Sequence, residues 1–269
     1  AEHNKRAADM AKQIGALAFL HDTAKAVNAY ERAIQYNPDD PNAWNQLGRL
    51  QFRLGRLDLA EQAYRRVEAL SNKLKDRQVL AAAIGNLGLI ARTRGDLDGA
   101  ENFLRKALTL NEELGSKEGM AGAYGNLGLI ALEREDLDSA EELQRKALSI
   151  NEEMGRKEGM ASAYGNLGLI ARERGDLDSS EAFCRESLAL DEELGHKEGM
   201  ATSYSNLGVI ARTRLKLDDA EKFYRKSLAL NEELGSKEGM ATQYFNLGEI
   251  RQKRGNLNGA CAFWSRALD

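Results

Sequence analysis

Five asparagines stand at a constant interval in this chain. Asn86, Asn126, Asn166, Asn206 and Asn246 each directly precede a Leu-Gly pair, and Gln46 holds the same place one interval earlier. A side-chain amide offers both a donor and an acceptor, so a row of amides suits the backbone of an extended polypeptide of any sequence. Each such bond contributes about 0.5–1.5 kcal/mol net. A row of them reaches micromolar affinity only with help from apolar contacts. Leu89, Leu129, Leu169 and Val209, three residues beyond the asparagines, are candidates for that help; the same place holds Arg49 and Glu249 in the outer copies. Arg92, Arg172 and Arg212 follow three residues later, with Leu132 interrupting. A guanidinium takes carboxylates by paired hydrogen bonds, so these suit acidic partner side chains.

Each row also has a purely structural reading. The asparagines could bond neighbouring helices or reflect repeat duplication, and the leucines could pack between adjacent helices. The arginines could be solvated or paired with nearby glutamates, and exposed pairs of that kind contribute little.

Catalysis and cofactor binding find no foothold. His3, His21 and His196 occupy unrelated places, and neither Cys184 nor Cys261 has a ligand partner at metal-binding spacing. The recurrent GNLG falls inside a helix, whereas a phosphate loop needs a glycine-rich turn after a strand. The GSKEG turns lack the Walker spacing. Adjacent carboxylates such as Glu112 and Glu113 diverge by about 100° on a helix and form no acid–base dyad. The expectation is a protein that is not an enzyme and carries no cofactor or metal.

Charge and hydropathy narrow the partners. Thirty-eight basic against 42 acidic residues give a net charge of -4, with no basic block, which argues against nucleic acid. No window approaches the roughly 18 apolar residues of a membrane span, and the first ten residues hold no signal-peptide core. A cytoplasmic location is expected. The two cysteines read as small core residues in a reducing compartment.

The elements that must position the rows follow from a repeat. Leu-Gly recurs at Leu47, Leu87, Leu127, Leu167, Leu207 and Leu247, and residues 118–157 return nearly verbatim at 158–197 and 198–237. A fixed period of this size marks a repeat array. The units run over residues 7–38, 42–76, 78–116, 118–156, 158–196, 198–236 and 238–269. Together they make about seven helical hairpins in one continuous array. The first unit is shorter: Gly15, Leu17, Phe19, Ala26 and Tyr30 align with Gly48, Leu50, Phe52, Ala60 and Tyr64. The chain stops inside a second helix at Asp269, so a fragment of something longer is expected.

Within a unit, Tyr124, Leu127, Gly128 and Ala131 fall on one face of a first helix. Asn126 then points about 150° away from that face, with Leu129 on the other outward flank. A mid-helix glycine costs about 1 kcal/mol relative to alanine, so Gly128 predicts a close helix crossing, with Ala140 as its counterpart. Gly95, Gly175 and Gly255 suit a left-handed residue ending the first helix. Glu135 and Leu215 stand there instead, at about 1 kcal/mol each if the backbone is left-handed. Asp98 with Glu101 reads as a capping box for the second helix. It returns as Asp58/Glu61, Asp138/Glu141, Asp178/Glu181 and Asp218/Glu221. Gly115, Gly155, Gly195 and Gly235 read as helix stops, and Pro38 and Pro41 flank a turn.

Trp44, Leu47, Gly48, Ala60 and Tyr64 together resemble the tetratricopeptide repeat. The later units, six residues longer and without its usual proline, are similar to the repeats of the spindle-orientation adaptors of the LGN and Pins group, and more loosely to kinesin light chains. The resemblance covers essentially the whole chain. It implies an all-α solenoid, a right-handed superhelix whose first helices line a concave groove for a peptide or protein segment. In those adaptors asparagines hold an extended partner, and Asn86, Asn126, Asn166, Asn206 and Asn246 match them. No Gα-binding motif of those adaptors is present. The expected function is a protein–protein interaction scaffold. The alternatives are a scaffold that self-assembles through exposed terminal repeats, or the recognition arm of a larger regulatory protein or enzyme.

Overall fold

A computed structural model of the chain describes residues 2–19 and 21–268. Among these, fourteen α-helices and no strand are present. In chain order they are α1 (Glu2–Ala18), α2 (Thr23–Tyr36), α3 (Pro41–Arg53), α4 (Leu57–Leu74), α5 (Arg77–Thr93), α6 (Leu97–Leu114) and α7 (Lys117–Glu133). They continue with α8 (Leu137–Met154), α9 (Lys157–Glu173), α10 (Leu177–Leu194), α11 (Lys197–Thr213), α12 (Leu217–Leu234), α13 (Lys237–Lys253) and α14 (Leu257–Leu268). Odd and even helices alternate as first and second members of consecutive hairpins, and the expected all-α class and hairpin number hold.

The helices fall into two compact units, Ala1–Ile130 and Ala131–Asp269. In the first, Ala26, Tyr30, Leu47 and Leu50 make one cluster, and Ala60, Tyr64, Leu87 and Ile90 another. In the second, Ala131, Ala140 and Ile170 pack together, as do Cys184, Tyr204, Leu207 and Ile210, and then Ala211, Ala220, Tyr224, Leu247 and Ile250. Each cluster takes side chains from two successive hairpins. None of these clusters belongs to one hairpin alone, as a repeat array requires.

The turns follow the sequence. Gly95, Gly175 and Gly255 have φ of 80°, 80° and 76°, and Glu135 and Leu215 share that left-handed backbone at 62° and 60°. Gly115, Gly155, Gly195 and Gly235 cap the long second helices at φ 63–67°. Asp40 caps α3, with Pro41 in its first turn.

Three expectations change. The caps of α6, α8 and α10 are Asp96, Asp136 and Asp176, two residues before the expected ones; each accepts from the backbone N–H three residues on. Bonds from the Ser139 and Ser179 side chains and backbones hold the Asp136 and Asp176 carboxyls below the usual range. The aspartates named as caps sit two residues further on, within the first turn, and four of them pair with arginines of the next hairpin. Arg94 holds Asp58 and Glu61, Arg174 holds Asp138 and Glu141, Arg214 holds Asp178 and Glu181, and Arg254 holds Asp218 and Glu221.

The second change concerns the Leu-Gly glycine. A Cβ on Gly88 would fall 2.9 Å from Leu104 Cγ but 3.3 Å from the Ala100 carbonyl, and one on Gly168 2.9 Å from Cys184 Sγ. The glycine is thus a notch for the side chain one turn beyond the small residue, which makes the nearest contact, with the small residue's backbone behind it. In the third, Cys184 fills such a notch and is buried, whereas Cys261 is exposed on α14. It stands at the register of Glu221, on the solvent side.

Candidate partner-binding site

The named residues lie on first helices, and each unit presents them separately. In the first unit Asn86 sits on α5 and Asn126 on α7, both half-buried. Asn86 donates to Asn45 Oδ1 of α3 at 3.4 Å, and Asn126 turns back to its own helix, donating to Gly122 O at 2.8 Å. Leu89 and Leu129 are half-buried beside them.

A cleft of about 340 Å³ opens between α5 and α7 with α6 as its floor, and Asn86, Leu89 and Asn126 line it. Its walls are short because the two helices carry Ala82, Gly85 and Gly122 along it. Leu104 and Ala107 close the bottom. Small side chains leave helix backbone at the surface, so the cleft has room for a partner's side chain between two amides.

Asn111 fixes the rim. It is buried, donates to Ala107 O at 2.8 Å, and leans on Gly119, where a Cβ would fall 2.1 Å from its Oδ1. The same glycine contact recurs for Asn151 with Gly159, Asp191 with Gly199 and Asn231 with Gly239. Sequence reading missed this pairing. The signal was available, because the glycine of each EGM recurs in step with the first residue of each preceding NEE or DEE.

In the second unit Asn166 lies on α9, Asn206 on α11 and Asn246 on α13. The first two are half-buried, whereas Asn246 is buried and donates to Gln243 Oε1 at 3.5 Å. A cleft of about 360 Å³ between α11 and α13 takes in Asn206, with α12 as floor. Its lining is polar where the first unit's is apolar: Thr202, Ser205, Thr242 and Gln243, with Glu198 and Glu238 at the rim. Gln243 donates to Ser205 Oγ at 3.1 Å, and Ser227 donates to Ala201 O at 2.8 Å.

Leu169 and Val209 are half-buried. Arg92, half-buried, lies near the end of α5. Arg172 donates to its neighbour Glu173 at 2.9 Å, and Arg212 pairs with Glu249 of α13.

Burial shifts two groups beside the helix notches. It pushes the Cys184 thiol up to about 11, against the opposing charge of Arg172, so the sulfur is an inert packing group. It also raises the Tyr224 hydroxyl, opposed by the charges of Arg212 and Arg172. Among the described residues no His, Cys, Asp and Glu side chains gather as metal ligands. No described helix is long and apolar enough to cross a membrane.

The chain was compared with known proteins. The MalT-like TPR region matches residues 15–193, and the tetratricopeptide repeat matches residues 159–233. No curated protein matches the chain significantly in sequence. Among solved structures, the apo form of RapI is similar at a TM-score of 0.77 and 12% identity, over 97% of this chain and 96% of that one. The Rap conjugation gene regulator of the plasmid pLS20, solved in complex with the Phr* peptide, is similar at 0.74 and 18%, over 95% and 71%. BtubC (BKLC) from P. vanneervenii is similar at 0.65 and 23%, over 81% and 89%. These likenesses show the fold. With the helical hairpins, their glycine notches and a match over residues 15–193, the chain belongs to the family of the MalT-like TPR region.

Proposed function

We propose that the protein is an interaction scaffold that binds a peptide or protein segment along its first helices. The observation that carries this reading is the cleft between α5 and α7, where Asn86 and Asn126 flank a slot walled by alanine and glycine. An extended segment would lay its backbone against the amides and drop an apolar side chain into the slot. The second unit offers the same position between α11 and α13 with a polar lining, so the two clefts would select different side chains. Repeat folds of this family generally serve protein–protein interaction, and the regulator similar to this chain was solved with a peptide. On this reading the protein acts by display and performs no catalysis.

The test is capture from a native extract by the wild type beside an Asn126→Ala/Asn166→Ala/Asn206→Ala variant, with circular dichroism confirming that the variant keeps its helices. A partner held by the wild type and lost by the folded variant is expected. Equal retention would remove the asparagines from the interaction.

Self-association is the second reading. Met10 and Leu17 of α1 are 65% and 81% exposed, and an apolar cleft of about 400 Å³ lies between α1 and α2. Light scattering across micromolar concentrations decides it, since a monomer throughout removes the option.

A further inference from the structure

The cleft between α11 and α13 carries Glu198 and Glu238 at its rim, and neither Lys nor Arg is among its lining residues. The glutamates alone say little. Acids in the first turn of a helix are favoured by its dipole, and Glu118 and Glu158 hold the same place in α7 and α9. What distinguishes this cleft is the state of the polar groups beneath them.

A backbone carbonyl can only accept, so a hydroxyl bonded to one has committed its proton. Thr202 donates to Glu198 O at 3.0 Å, and Thr242 donates to Glu238 O at 3.0 Å, each within its own helix. Both threonines are exposed along the cleft, and each is left with lone pairs alone to offer an incoming group. Ser227 on the floor is committed in the same way, to Ala201 O at 2.8 Å. The apolar cleft of the first unit has Ala82 and Gly122 at the threonine positions.

Gln243 adds an acceptor at depth. It is only 3% exposed yet lines the cleft. Its Oε1 meets Ser205 Oγ at 3.4 Å and Asn246 Nδ2 at 3.5 Å, both longer than a well-formed hydrogen bond of about 2.9 Å. A buried amide oxygen held this loosely is short of a donor. Lys197, next to Glu198 in sequence, is turned to Glu233 of α12 at 2.7 Å, and Lys237 lies outside the lining. The cleft therefore gathers carboxylates, proton-committed hydroxyls and a loosely held carbonyl, with no cation to match them.

We propose that the cleft between α11 and α13 is a receptor for a basic side chain, the guanidinium or ammonium group of an arginine or lysine in the partner segment. Glu198 and Glu238 supply the opposing charge at the mouth. Thr202, Thr242 and the Gln243 oxygen accept the charged N–H donors that such a side chain brings. The inference rests on reading the first helices as the partner-binding face, and it names the side chain that one subsite takes.

The experiment uses the full chain and short capped alanine peptides carrying one central arginine, lysine, glutamine or leucine. Binding is followed through the side-chain amide signals of Asn206 and Gln243 in labelled protein. Saturable shifts with the arginine or lysine peptide are expected, with the glutamine and leucine peptides at least about tenfold weaker. The tighter of the two basic peptides names the cation. Thr202→Val/Thr242→Val keeps size and net charge and should weaken that peptide about tenfold. General attraction to an acidic protein predicts no loss in this variant. Glu198→Gln/Glu238→Gln should weaken it about threefold at low salt. Circular dichroism confirms that both variants keep their helices. No saturation by either basic peptide, a glutamine peptide bound as tightly, or affinity unchanged in the threonine variant overturns the receptor. In each of these cases a partner captured in the asparagine test leaves the first-helix reading standing, so the two failures are separate.

Discussion

Arg174 donates to Asp138 Oδ1 at 2.5 Å across thirty-six residues of chain, joining the turn of one hairpin to the start of the preceding second helix. The same guanidinium holds Glu141 with its other Nη. Arg94, Arg214 and Arg254 repeat the fork on their own acid pairs. The asparagines face partners, on the proposed reading, while these arginines tie the hairpins that carry them.

The fork sits in water, with the Asp138 side chain 97% exposed. Exposed pairs couple by at most about 1 kcal/mol and are screened by salt. A double-mutant cycle on Arg174→Ala and Asp138→Ala should therefore show a coupling under about 1 kcal/mol at low ionic strength. It should fade in about 1 M salt. Coupling that persists there would mean the pair is shielded in solution.

Leu215 occupies a left-handed position at φ 60° and is 73% exposed, so its side chain packs little. Leu215→Gly should stabilise the protein by about 1 kcal/mol. Glu135→Gly should act in the same direction. Thermal melts would check both, and a lowered Tm in either would show that the side chain makes up for the strain.

Two helical glycines should respond with opposite sign to the same substitution. Gly208→Ala drives a Cβ into the ring of buried Tyr224 and should destabilise by about 1–3 kcal/mol. Gly122 has nothing within 4 Å of a new Cβ, so Gly122→Ala should gain up to about 1 kcal/mol of helix propensity. Urea midpoints measured side by side test the pair, and equal shifts would contradict the notch.

Three glutamates of the arginine forks titrate below their usual range. Arg145 and then Arg174 lower Glu141; Arg185 and Arg214 lower Glu181; for Glu221 burial opposes, but Arg225 and Arg254 outweigh it. A carboxyl with a depressed folded pKa adds stability above its unfolded value, near about 4.3 for Glu. That contribution is lost as pH falls through the folded value. The urea midpoint should hold between about pH 7 and 5 and drop below about pH 4. An unchanged midpoint at about pH 3.5 would show the forks to be unformed in solution.

Much of this molecule was legible in its sequence because the signals are local and repeated six times over. The period, the αL glycines and the proline turn each depend on a few adjacent residues and their backbone preferences. They determined the all-α class, the hairpins, and the strained backbone at Glu135 and Leu215. The amphipathic spacing likewise put the asparagines on one face of each first helix.

What only the tertiary structure decided involves residues far apart in the chain. Asp98 looked like a cap because capping boxes are defined by spacing alone; the packed hairpins give that role to Asp96 and turn the same register toward an arginine thirty-six residues on. Gly128 suggested a small counterpart; in the neighbouring repeats the small residue contributes its backbone, and the nearest contact comes from Leu104 or Cys184 one turn further on. Depth and polarity of the two clefts arise where side chains of three helices meet, Ala and Gly in one and Ser, Thr and Gln in the other. Hydrogen bonding inside a repeat array is settled by its neighbours, and no single repeat states it.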